Sequence, residues 1–313
     1  MEFKKIMVLG AGTMGHGIAQ LSAEAGLYVK MYDISRENLE KGLASIKNNL
    51  ASVVAQGKKT EKEAEEVISR ISLADSLEDG VQDIQLVIEC IAENVGIKQK
   101  VYKQLDEICD PSIILASNTS GISPTAIAEF VQHPERVVVA HFFYPAELLP
   151  LVEVVPGEKT SDQVVDNTVD WVKAIKKEPV RMKKECLGFI ANRMQYALLR
   201  EAVYIVEQGW AEMEEVDKAV EFSFGRRLPY TGPLKTADVG GLDIFYNISS
   251  YLFKDLCTDP VPSPIMRDIV EAGHYGTKNG EGFYKWDEKS TKEIEAKRRE
   301  LLVHLMDEDK KNK

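Results

Sequence analysis

Two ionisable residues, His141 and Glu153, stand in a stretch of the chain that is otherwise almost wholly apolar. His141 ends one strand-like run and Glu153 lies inside the next, with Tyr144-Pro145 and Pro150 marking a turn between them. A carboxylate inside a buried strand is costly unless it is paired, and the nearest partner in the sequence is this imidazole. A histidine held by a carboxylate has a fixed tautomer and a stabilised protonated form, which are the properties of a general base.

The same stretch has a second interpretation. His141 could be a structural histidine at a strand end, and Glu153 could face solvent on an edge strand, because structural pairs of this kind also occur. Features elsewhere in the chain are needed to choose between the catalytic and the structural interpretation.

A glycine-rich turn follows the first strand-like run of the chain. Residues 4–9 (KKIMVL) predict a buried parallel strand, the sequence GAGTMG then opens a helix, and a second strand ends at Asp33. Gly10 allows the tight turn, Gly12 lets the backbone approach a pyrophosphate, and Gly15 lets the helix pack closely on the strand. This is the full fingerprint of a dinucleotide site.

The residues around this turn also indicate which dinucleotide is bound. The N–H groups of the first helical turn, which contains Thr13 and Met14, favour bound phosphates. Asp33 falls eighteen residues after Gly15, where a carboxylate can accept both ribose hydroxyls and would repel a 2′-phosphate. The pattern predicts NAD rather than NADP, although Arg36 lies nearby.

Polar residues follow a later strand-like run, SIILA at residues 112–116. Polar side chains just past the carboxyl end of a strand line the ligand crevice of an open α/β sheet, which favours Asn118 and Ser120 as site residues. The alternative is a Ser/Asn turn that caps a helix starting near Pro124. The site is favoured because this loop shares its sheet edge with the glycine turn.

Strand-like and helical runs alternate up to about Lys184, and only helical periodicity follows. This predicts a Rossmann-type α/β domain at residues 1–184, with a helical hairpin excursion at residues 35–70, and an all-α domain at residues 185–313. The main helices of the second domain are expected at residues 186–208, 214–223, 235–256 and 264–272. An all-helical domain of this size would bury apolar surface against another subunit, so we expect a homodimer.

Composition narrows the functional class. The chain has 313 residues, of which 44% are hydrophobic and 28% charged, as in ordinary globular proteins. Its apolar runs are too short to span a membrane, and the net charge of −11 argues against a nucleic-acid surface. We expect no secretory leader, because the residues before the first strand do not have the pattern of one. The four cysteines are widely spaced, which predicts a cytoplasmic protein without a metal site. We expect the partner of this protein to be a small molecule.

Six segments together resemble the 3-hydroxyacyl-CoA dehydrogenase family in both order and spacing. They are GAGTMGHGIAQ at 10–20, ASNTS at 116–120, HFF with PLVEVV within 141–155, GFIANR at 188–193, TGPL at 231–234 and GEGFY at 280–284. The resemblance covers nearly the whole chain, and six matches in order are much stronger evidence than any one of them.

The resemblance implies NAD-dependent oxidation of a secondary 3-hydroxyl group to a ketone. His141 would take the hydroxyl proton and Glu153 would orient His141. Ser120 and Asn192 would hydrogen-bond the reacting oxygen, although an Asn in a helical pattern often pairs with a neighbouring helix instead. Glu93 and Lys98 would lie beside the cofactor. Alcohol oxidation develops charge on one oxygen, so positioned donors and a base suit the step.

Three departures from the family pattern concern the substrate. Tyr144 stands where the acyl-CoA members usually have Asn, residues 148–150 read LLP, and residues 52–56 of the hairpin, where those members usually carry basic residues, include none. Phosphates of CoA need Arg or Lys nearby. The segments LLPLVEVV and GRRLPYTGPL resemble the CoA-free branches, which include L-gulonate, carnitine and pyridoxal-degradation dehydrogenases, and Arg226 or Arg227 could bind a carboxylate.

Two substrate classes therefore stay open: a short 3-hydroxyacyl-CoA, or a CoA-free hydroxy compound that bears a carboxylate. An NAD-binding protein without turnover is a further alternative, because a fold does not by itself establish chemistry.

Overall fold

Eight strands form one sheet in the computed structural model, which describes residues 2–311 of the chain. The strands are β1 (Lys5–Leu9), β2 (Tyr28–Tyr32), β3 (Ile71–Leu73), β4 (Leu86–Glu89), β5 (Ile114–Ser117), β6 (Val137–Phe142), β7 (Leu151–Pro156) and β8 (Glu178–Arg181). Their order across the sheet is β3-β2-β1-β4-β5-β6-β7-β8. Strands β1 to β6 are parallel, whereas β7 is antiparallel to β6 and parallel to β8.

The strand order reverses between β1 and β4, so the carboxyl ends of these strands border the crevice where an open α/β sheet binds ligands. The sheet carries helices on its faces, and residues of β1, β4 and β5 are almost completely buried. Burial on both sides explains why these strands are nearly continuous apolar runs rather than alternating ones. The Rossmann-type α/β fold is confirmed.

Seven α-helices accompany the sheet between residues 13 and 174. They are α1 (Thr13–Glu24), α2 (Arg36–Ala55), α3 (Glu61–Ser69), α4 (Leu77–Gly80), α5 (Val95–Ile108), α6 (Pro124–Ile127) and α7 (Asp162–Ala174). The predicted hairpin is present as α2 and α3. Thr60 and Glu63 cap α3 reciprocally, since the Thr60 hydroxyl accepts the Glu63 N–H at 3.2 Å and the Glu63 carboxylate accepts the Thr60 N–H at 2.8 Å.

The chain after β8 is helical, as its periodicity predicted. The helices are α8 (Ala191–Glu207), α9 (Met213–Glu221), α10 (Pro233–Gly240), α11 (Leu242–Leu252), α12 (Pro264–Glu271) and α13 (Glu288–Lys311). By its contacts the chain divides into one unit that ends at Ile190 and includes residues from Arg299 onward, and a second unit, Ala191–Arg298. None of the helices in residues 2–311 combines the length and apolar character that a membrane crossing needs.

The expectation of one helix over residues 235–256 is wrong. Two helices stand there, and Gly241, with φ of 93°, separates them. This left-handed conformation ends a helix and is accessible to glycine at little cost. Gly240 also lies against the Phe245 ring, where an added Cβ would come within 2.7 Å of a ring carbon. Apolar periodicity continues across the break, which is why the pattern alone did not reveal it.

Candidate active site

His141 and Glu153 lie directly opposite each other where β6 pairs with β7. His141 Nδ1 is 2.9 Å from Glu153 Oε2, and the two residues are 3% and 0% exposed. A carboxylate in such a pair accepts, so Nδ1 carries the hydrogen, and Nε2 is left with a lone pair that can take a proton. The pairing predicted from the sequence is confirmed, and the interpretation of Glu153 as a solvent-facing residue is wrong.

A backbone turn after β8 holds the second oxygen of Glu153. Glu153 Oε1 accepts the Ile190 N–H at 2.8 Å. Gly188 and Phe189 just before it both have positive φ, 74° and 51°, and such a conformation is uncommon for a phenylalanine. The Phe189 ring also packs 5.6 Å from the His141 ring, measured between centroids. The GFI segment therefore fixes the carboxylate and the imidazole together, a role that the sequence did not indicate.

The loop after β5 is tied to the strand that carries His141. The side-chain oxygen of Asn118 accepts the Phe142 N–H at 2.9 Å, and the Asn118 N–H donates to the Glu89 carbonyl oxygen at 2.8 Å. Asn118 thus connects β4, β5 and β6 at their carboxyl ends. Ser120, two residues further on, is exposed, and its N–H donates to Glu93 Oε1 at 3.1 Å.

A buried carboxylate that the sequence did not single out, Glu89, lies at the end of β4. Its Oε1 accepts from Lys98 Nζ and from the Ile91 N–H, both at 2.7 Å, and its Oε2 accepts from Ser117 Oγ at 2.7 Å. Lys98 is 1% exposed, and its Nζ also lies 3.5 Å from Glu93 Oε2. Burial raises the pKa of the neighbouring Cys90 thiol, and the Glu89 carboxylate raises it further.

The glycine turn fits a dinucleotide. Gly10 has φ of 99°, and a Cβ on Gly15 would come within 1.8 Å of the Gly10 carbonyl oxygen, so a side chain is excluded at both positions. By contrast, a Cβ on Gly12 would meet no atom within 4 Å, which leaves open space beside the uncapped N-terminus of α1. A phosphate group suits that space, since Thr13 and Met14 present N–H groups of the first turn there.

Asp33 is fixed beside this turn by two backbone donors. Its Oδ2 accepts the Ala11 N–H and its Oδ1 accepts the Ser35 N–H, both at 2.9 Å. Each carboxylate oxygen retains a further lone pair, so both can still accept ribose hydroxyls. The geometry fits the role that the sequence predicted for Asp33.

Three candidate residues belong to the second unit. Asn192 lies in the first turn of α8 and is half-buried. Arg226 donates through Nε to the Glu221 carbonyl oxygen at 3.0 Å, and its guanidinium carbon lies 4.6 Å from the centroid of the Phe222 ring. Arg227 is exposed. Among residues 2–311 no three His, Cys, Asp or Glu side chains converge on a possible metal position.

Comparison with known proteins gives two adjacent family matches. The NAD binding domain of 3-hydroxyacyl-CoA dehydrogenase matches residues 5–186, and the C-terminal domain of the same family matches residues 188–286. A probable 3-hydroxybutyryl-CoA dehydrogenase of Bacillus subtilis is 40% identical over 292 residues, which are 93% of this chain and 100% of that protein.

Solved structures include relatives of both substrate classes. A crystal structure of 5-formyl-3-hydroxy-2-methylpyridine 4-carboxylic acid 5-dehydrogenase, described as an NAD⁺-dependent dismutase, matches with a TM-score of 0.89 and 34% identity, covering 97% of this chain and 98% of that one. The (S)-3-hydroxybutyryl-CoA dehydrogenase of Ralstonia eutropha matches with a TM-score of 0.79, also at 34% identity, covering 92% and 100%.

Proposed function

The chain belongs to the 3-hydroxyacyl-CoA dehydrogenase family, and we propose that its substrate is a short-chain 3-hydroxyacyl-CoA similar to 3-hydroxybutyryl-CoA. It is an NAD-dependent oxidoreductase that acts on a secondary alcohol. The observation that carries the proposal is the buried His141–Glu153 pair, held at the same sheet edge as the dinucleotide turn. The 40% identity to a probable 3-hydroxybutyryl-CoA dehydrogenase supports the choice of substrate.

In the proposed mechanism His141 Nε2 takes the proton of the substrate hydroxyl. Glu153 keeps the hydrogen of His141 on Nδ1 and stabilises the imidazolium that forms. Ser120 and Asn192 donate hydrogen bonds to the oxygen as it changes from alcohol to ketone. NAD, when bound, supplies the acceptor for the hydride that leaves the same carbon.

The roles of the cofactor-binding residues follow from where they lie. Gly10, Gly12 and Gly15 with the first turn of α1 would hold the pyrophosphate, and Asp33 would hold the ribose hydroxyls. Glu93, Lys98 and Asn118 would form the floor of the crevice at the carboxyl ends of β4 and β5.

A second candidate substrate is a CoA-free hydroxy compound that bears a carboxylate. At equal identity the pyridine-carboxylate dehydrogenase gives the higher TM-score, 0.89 against 0.79, and covers more of this chain. The hairpin supports this alternative as well, because residues 52–56 supply no cation for CoA phosphates. Arg227 would then bind the substrate carboxylate, since the guanidinium of Arg226 is already bonded and stacked.

A single assay separates these possibilities. NAD reduction is measured side by side with 3-hydroxybutyryl-CoA, free 3-hydroxybutyrate, gulonate, carnitine and a hydroxymethyl-pyridine carboxylate. We expect kcat/KM to be at least about tenfold higher for the CoA ester, since remote binding energy raises the rate of the correct substrate. A preference for a free acid that Arg227→Ala abolishes and Arg226→Ala preserves would establish the second candidate. NADH binding without oxidation of any compound would leave only a nucleotide-binding protein.

We also propose a homodimer formed through the second unit. Helix α11 has no buried residue among its eleven, although most of its side chains are apolar, including Ile244, Phe245 and Tyr251. A helix that is apolar on most of its surface requires a partner surface, and a symmetric second copy is the commonest one. Ile244→Glu should shift the mass measured by light scattering from dimer to monomer, and an unchanged mass would contradict this interface.

We place the protein in the cytoplasm. The four cysteines are all free thiols in the structure, and those at positions 109 and 257 are buried. Widely spaced reduced cysteines are typical of a reducing compartment. The short-chain acyl-CoA substrate would assign the protein to fatty acid metabolism, and cell fractionation with antibody detection tests the location.

A further inference from the structure

We propose that Glu89 is a positioning residue that acts through Lys98 and Glu93 to strengthen the binding of NAD⁺ relative to that of NADH. The inference rests on the proposed function in one respect: it requires the nicotinamide end of the cofactor to lie at the sheet edge that carries Ser120 and His141. Glu89 is 0% exposed, so it cannot touch a ligand and must act through the groups bonded to it.

Three donors converge on Glu89 and account for its burial. Lys98 Nζ, the Ile91 N–H and Ser117 Oγ each lie 2.7 Å from one of its two carboxylate oxygens. A buried carboxylate is tolerated when donors of this number and quality satisfy it. The bond from Lys98 is the important one here, because it holds a buried ammonium group in a fixed place.

Lys98 connects Glu89 to a second carboxylate that faces the crevice. Its Nζ is 3.5 Å from Glu93 Oε2, and the Glu93 side chain is 49% exposed. The other oxygen of Glu93 accepts from Thr119 Oγ1 at 2.5 Å and from the Ser120 N–H at 3.1 Å. The chain of contacts therefore runs from a fully buried carboxylate to the backbone of a proposed catalytic residue.

The charges in this chain do not cancel. Two carboxylates, Glu89 and Glu93, share one ammonium, Lys98, which leaves one excess negative charge at the crevice. The N-terminus of α5 adds a partial positive charge beside Glu93, but it is a backbone property and is the same in every side-chain variant. The nicotinamide ring is positively charged in NAD⁺ and neutral in NADH, so an excess negative charge stabilises the oxidised form relative to the reduced form.

The test is the ratio of two dissociation constants, Kd for NAD⁺ divided by Kd for NADH, measured without substrate. NADH binding is followed by its fluorescence and NAD⁺ binding by displacement of NADH. Glu89→Gln can keep all three hydrogen bonds, because an amide both accepts and donates and the Ser117 hydroxyl can rotate. We expect this variant to raise the ratio by about fivefold to thirtyfold, which corresponds to a loss of about 1–2 kcal/mol of charge–charge attraction.

Two controls separate charge from structure. Glu89→Asp retains the negative charge and should keep the ratio within about twofold of the wild type even if the protein is less stable. Asp106→Asn removes a carboxylate that is bonded to Arg136 and has a 4% exposed side chain, but at the opposite edge of the sheet, so it should leave the ratio unchanged. If all three variants shift the ratio equally, the effect is one of general destabilisation and the proposal is overturned.

A surface variant covers the case in which Glu89→Gln does not fold. Glu93→Gln removes the same excess charge from a half-exposed position, so it should fold and should raise the ratio in the same direction. An unchanged ratio in Glu89→Gln, or in Glu93→Gln if that variant alone folds, overturns the proposal. Because turnover is not measured, this result is independent of whether the proposed substrate is correct.

Discussion

Helix α5 carries a buried charge near each of its ends, and the two ends are built differently. Lys98 lies in its second turn, at the carboxyl edge of the sheet, and Asp106 lies in its last turn, at the amino edge. Both signs oppose the helix dipole, which favours anions near the N-terminus and cations near the C-terminus. Each charge must therefore be stabilised by its partners rather than by the helix itself.

At the amino edge the charges balance, and we call such a group of partners a closed set. Arg136 donates to Asp106 Oδ1 at 2.7 Å and to the carbonyl oxygens of Asp106, Asp110 and Ile113, while Asp106 Oδ2 accepts the Gln132 N–H at 2.6 Å. One cation meets one anion, and both side chains are at most 4% exposed. A pair of this kind holds the start of β6 against the end of α5 and offers nothing to a ligand.

At the carboxyl edge the charges do not balance, and we call such a group of partners an open set. Lys98 meets two carboxylates, and Glu93 remains half-exposed. The His141–Glu153 pair at the same edge likewise leaves an imidazole nitrogen that is not used by its partner. At the amino edge one cation therefore balances one anion, although Arg136 Nε has no hydrogen-bond partner among the described residues. At the carboxyl edge one group or one unit of charge is left over.

The largest expected effect is on turnover, and it comes from removing the imidazole of His141 at the carboxyl edge. His141→Ala should lower kcat by about two to four decades, because the general base is lost, while the Kd for NADH changes by less than about threefold. The matched control is His133→Ala, which removes an exposed histidine that is also paired with a glutamate, Glu135, at 3.2 Å. Steady-state kinetics and NADH fluorescence measure both quantities.

Two results would contradict this assignment. Turnover of His141→Ala close to that of the wild type would remove the proposed base. An equal loss of turnover in His133→Ala would show that the measurement reports the loss of any histidine rather than the chemistry of the pair. Glu153→Gln should fall between wild type and His141→Ala. Its one amide oxygen can accept from the His141 ring or from the Ile190 N–H but not from both, and it does not stabilise the imidazolium as a carboxylate does.

A substitution in the Arg136–Asp106 pair at the amino edge should lower stability and leave turnover nearly unchanged. Asp106→Asn should lower the free energy of unfolding by about 3–5 kcal/mol, since it leaves Arg136 buried without its counter-charge. The kcat of the molecules that remain folded should stay within about twofold of the wild type. Urea denaturation followed by circular dichroism gives the stability, and titration of active molecules with NADH gives the folded fraction.

A fall in kcat with little change in stability would contradict the distinction between the two edges. It would mean that the amino-edge pair also acts on the chemistry, in spite of its position at the starts of β5 and β6.

At the carboxyl edge, the site residues that could be predicted from the sequence are those that interrupt an apolar or helical pattern. His141 and Glu153 are conspicuous because they stand in apolar runs, and the glycine turn is conspicuous because three glycines open one helix. Their structural relations, a directly opposed pair and a turn with open space at Gly12, are as predicted.

Glu89 did not interrupt any pattern, because a glutamate at the end of a strand is also an ordinary strand boundary. Its burial depends on Ser117 of the neighbouring strand, 28 residues away, and on Lys98 of the next helix. Whether the end of a strand is covered depends on which strands are adjacent. Strand order is a property of the whole sheet, and periodicity within one segment carries no information about it. Lys98 itself was found through the family resemblance and not through its surroundings.

A substitution at Asp33 tests a cofactor contact at the carboxyl edge, where we expect a smaller effect than from the loss of His141. Its carboxylate is held by two backbone N–H groups, and both oxygens retain lone pairs for a ligand. Asp33→Ala should raise the KM for NAD by about tenfold to a hundredfold, the loss expected for hydrogen bonds to a charged group, and should change the KM for NADP much less. Asp75→Ala is a suitable control, since Asp75 is an exposed carboxylate 3.3 Å from Arg36. A wild-type protein that prefers NADPH would contradict the assigned role.

A third buried cation, Lys177, tests the idea that a buried charge needs a counter-charge. Its ammonium donates to the Leu149 carbonyl oxygen at 3.0 Å, and burial lowers its pKa to about 8, although Glu147 and Glu24 act in the opposite direction at longer range. The ordinary value is 10.5, so between pH 8 and pH 10.5 the unfolded chain binds more protons than the folded chain, and stability rises with pH in that window. Below pH 8 both states are protonated and the full cost of burying the ammonium is present.

Lys177→Met isolates this contribution from the other groups that titrate in the same range. Relative to the variant, the wild type should gain about 2–3 kcal/mol in unfolding free energy from pH 7.5 to pH 10.5, because the wild type alone sheds a buried charge. Lys176→Met, at the neighbouring exposed lysine, should show no such change. Parallel curves for wild type and Lys177→Met across this range would mean that Lys177 is stabilised by Glu147 and Glu24 as fully as Arg136 is by Asp106. Burial without a contacting carboxylate would then carry no cost, and the contrast between closed and open charge sets would lose its physical basis.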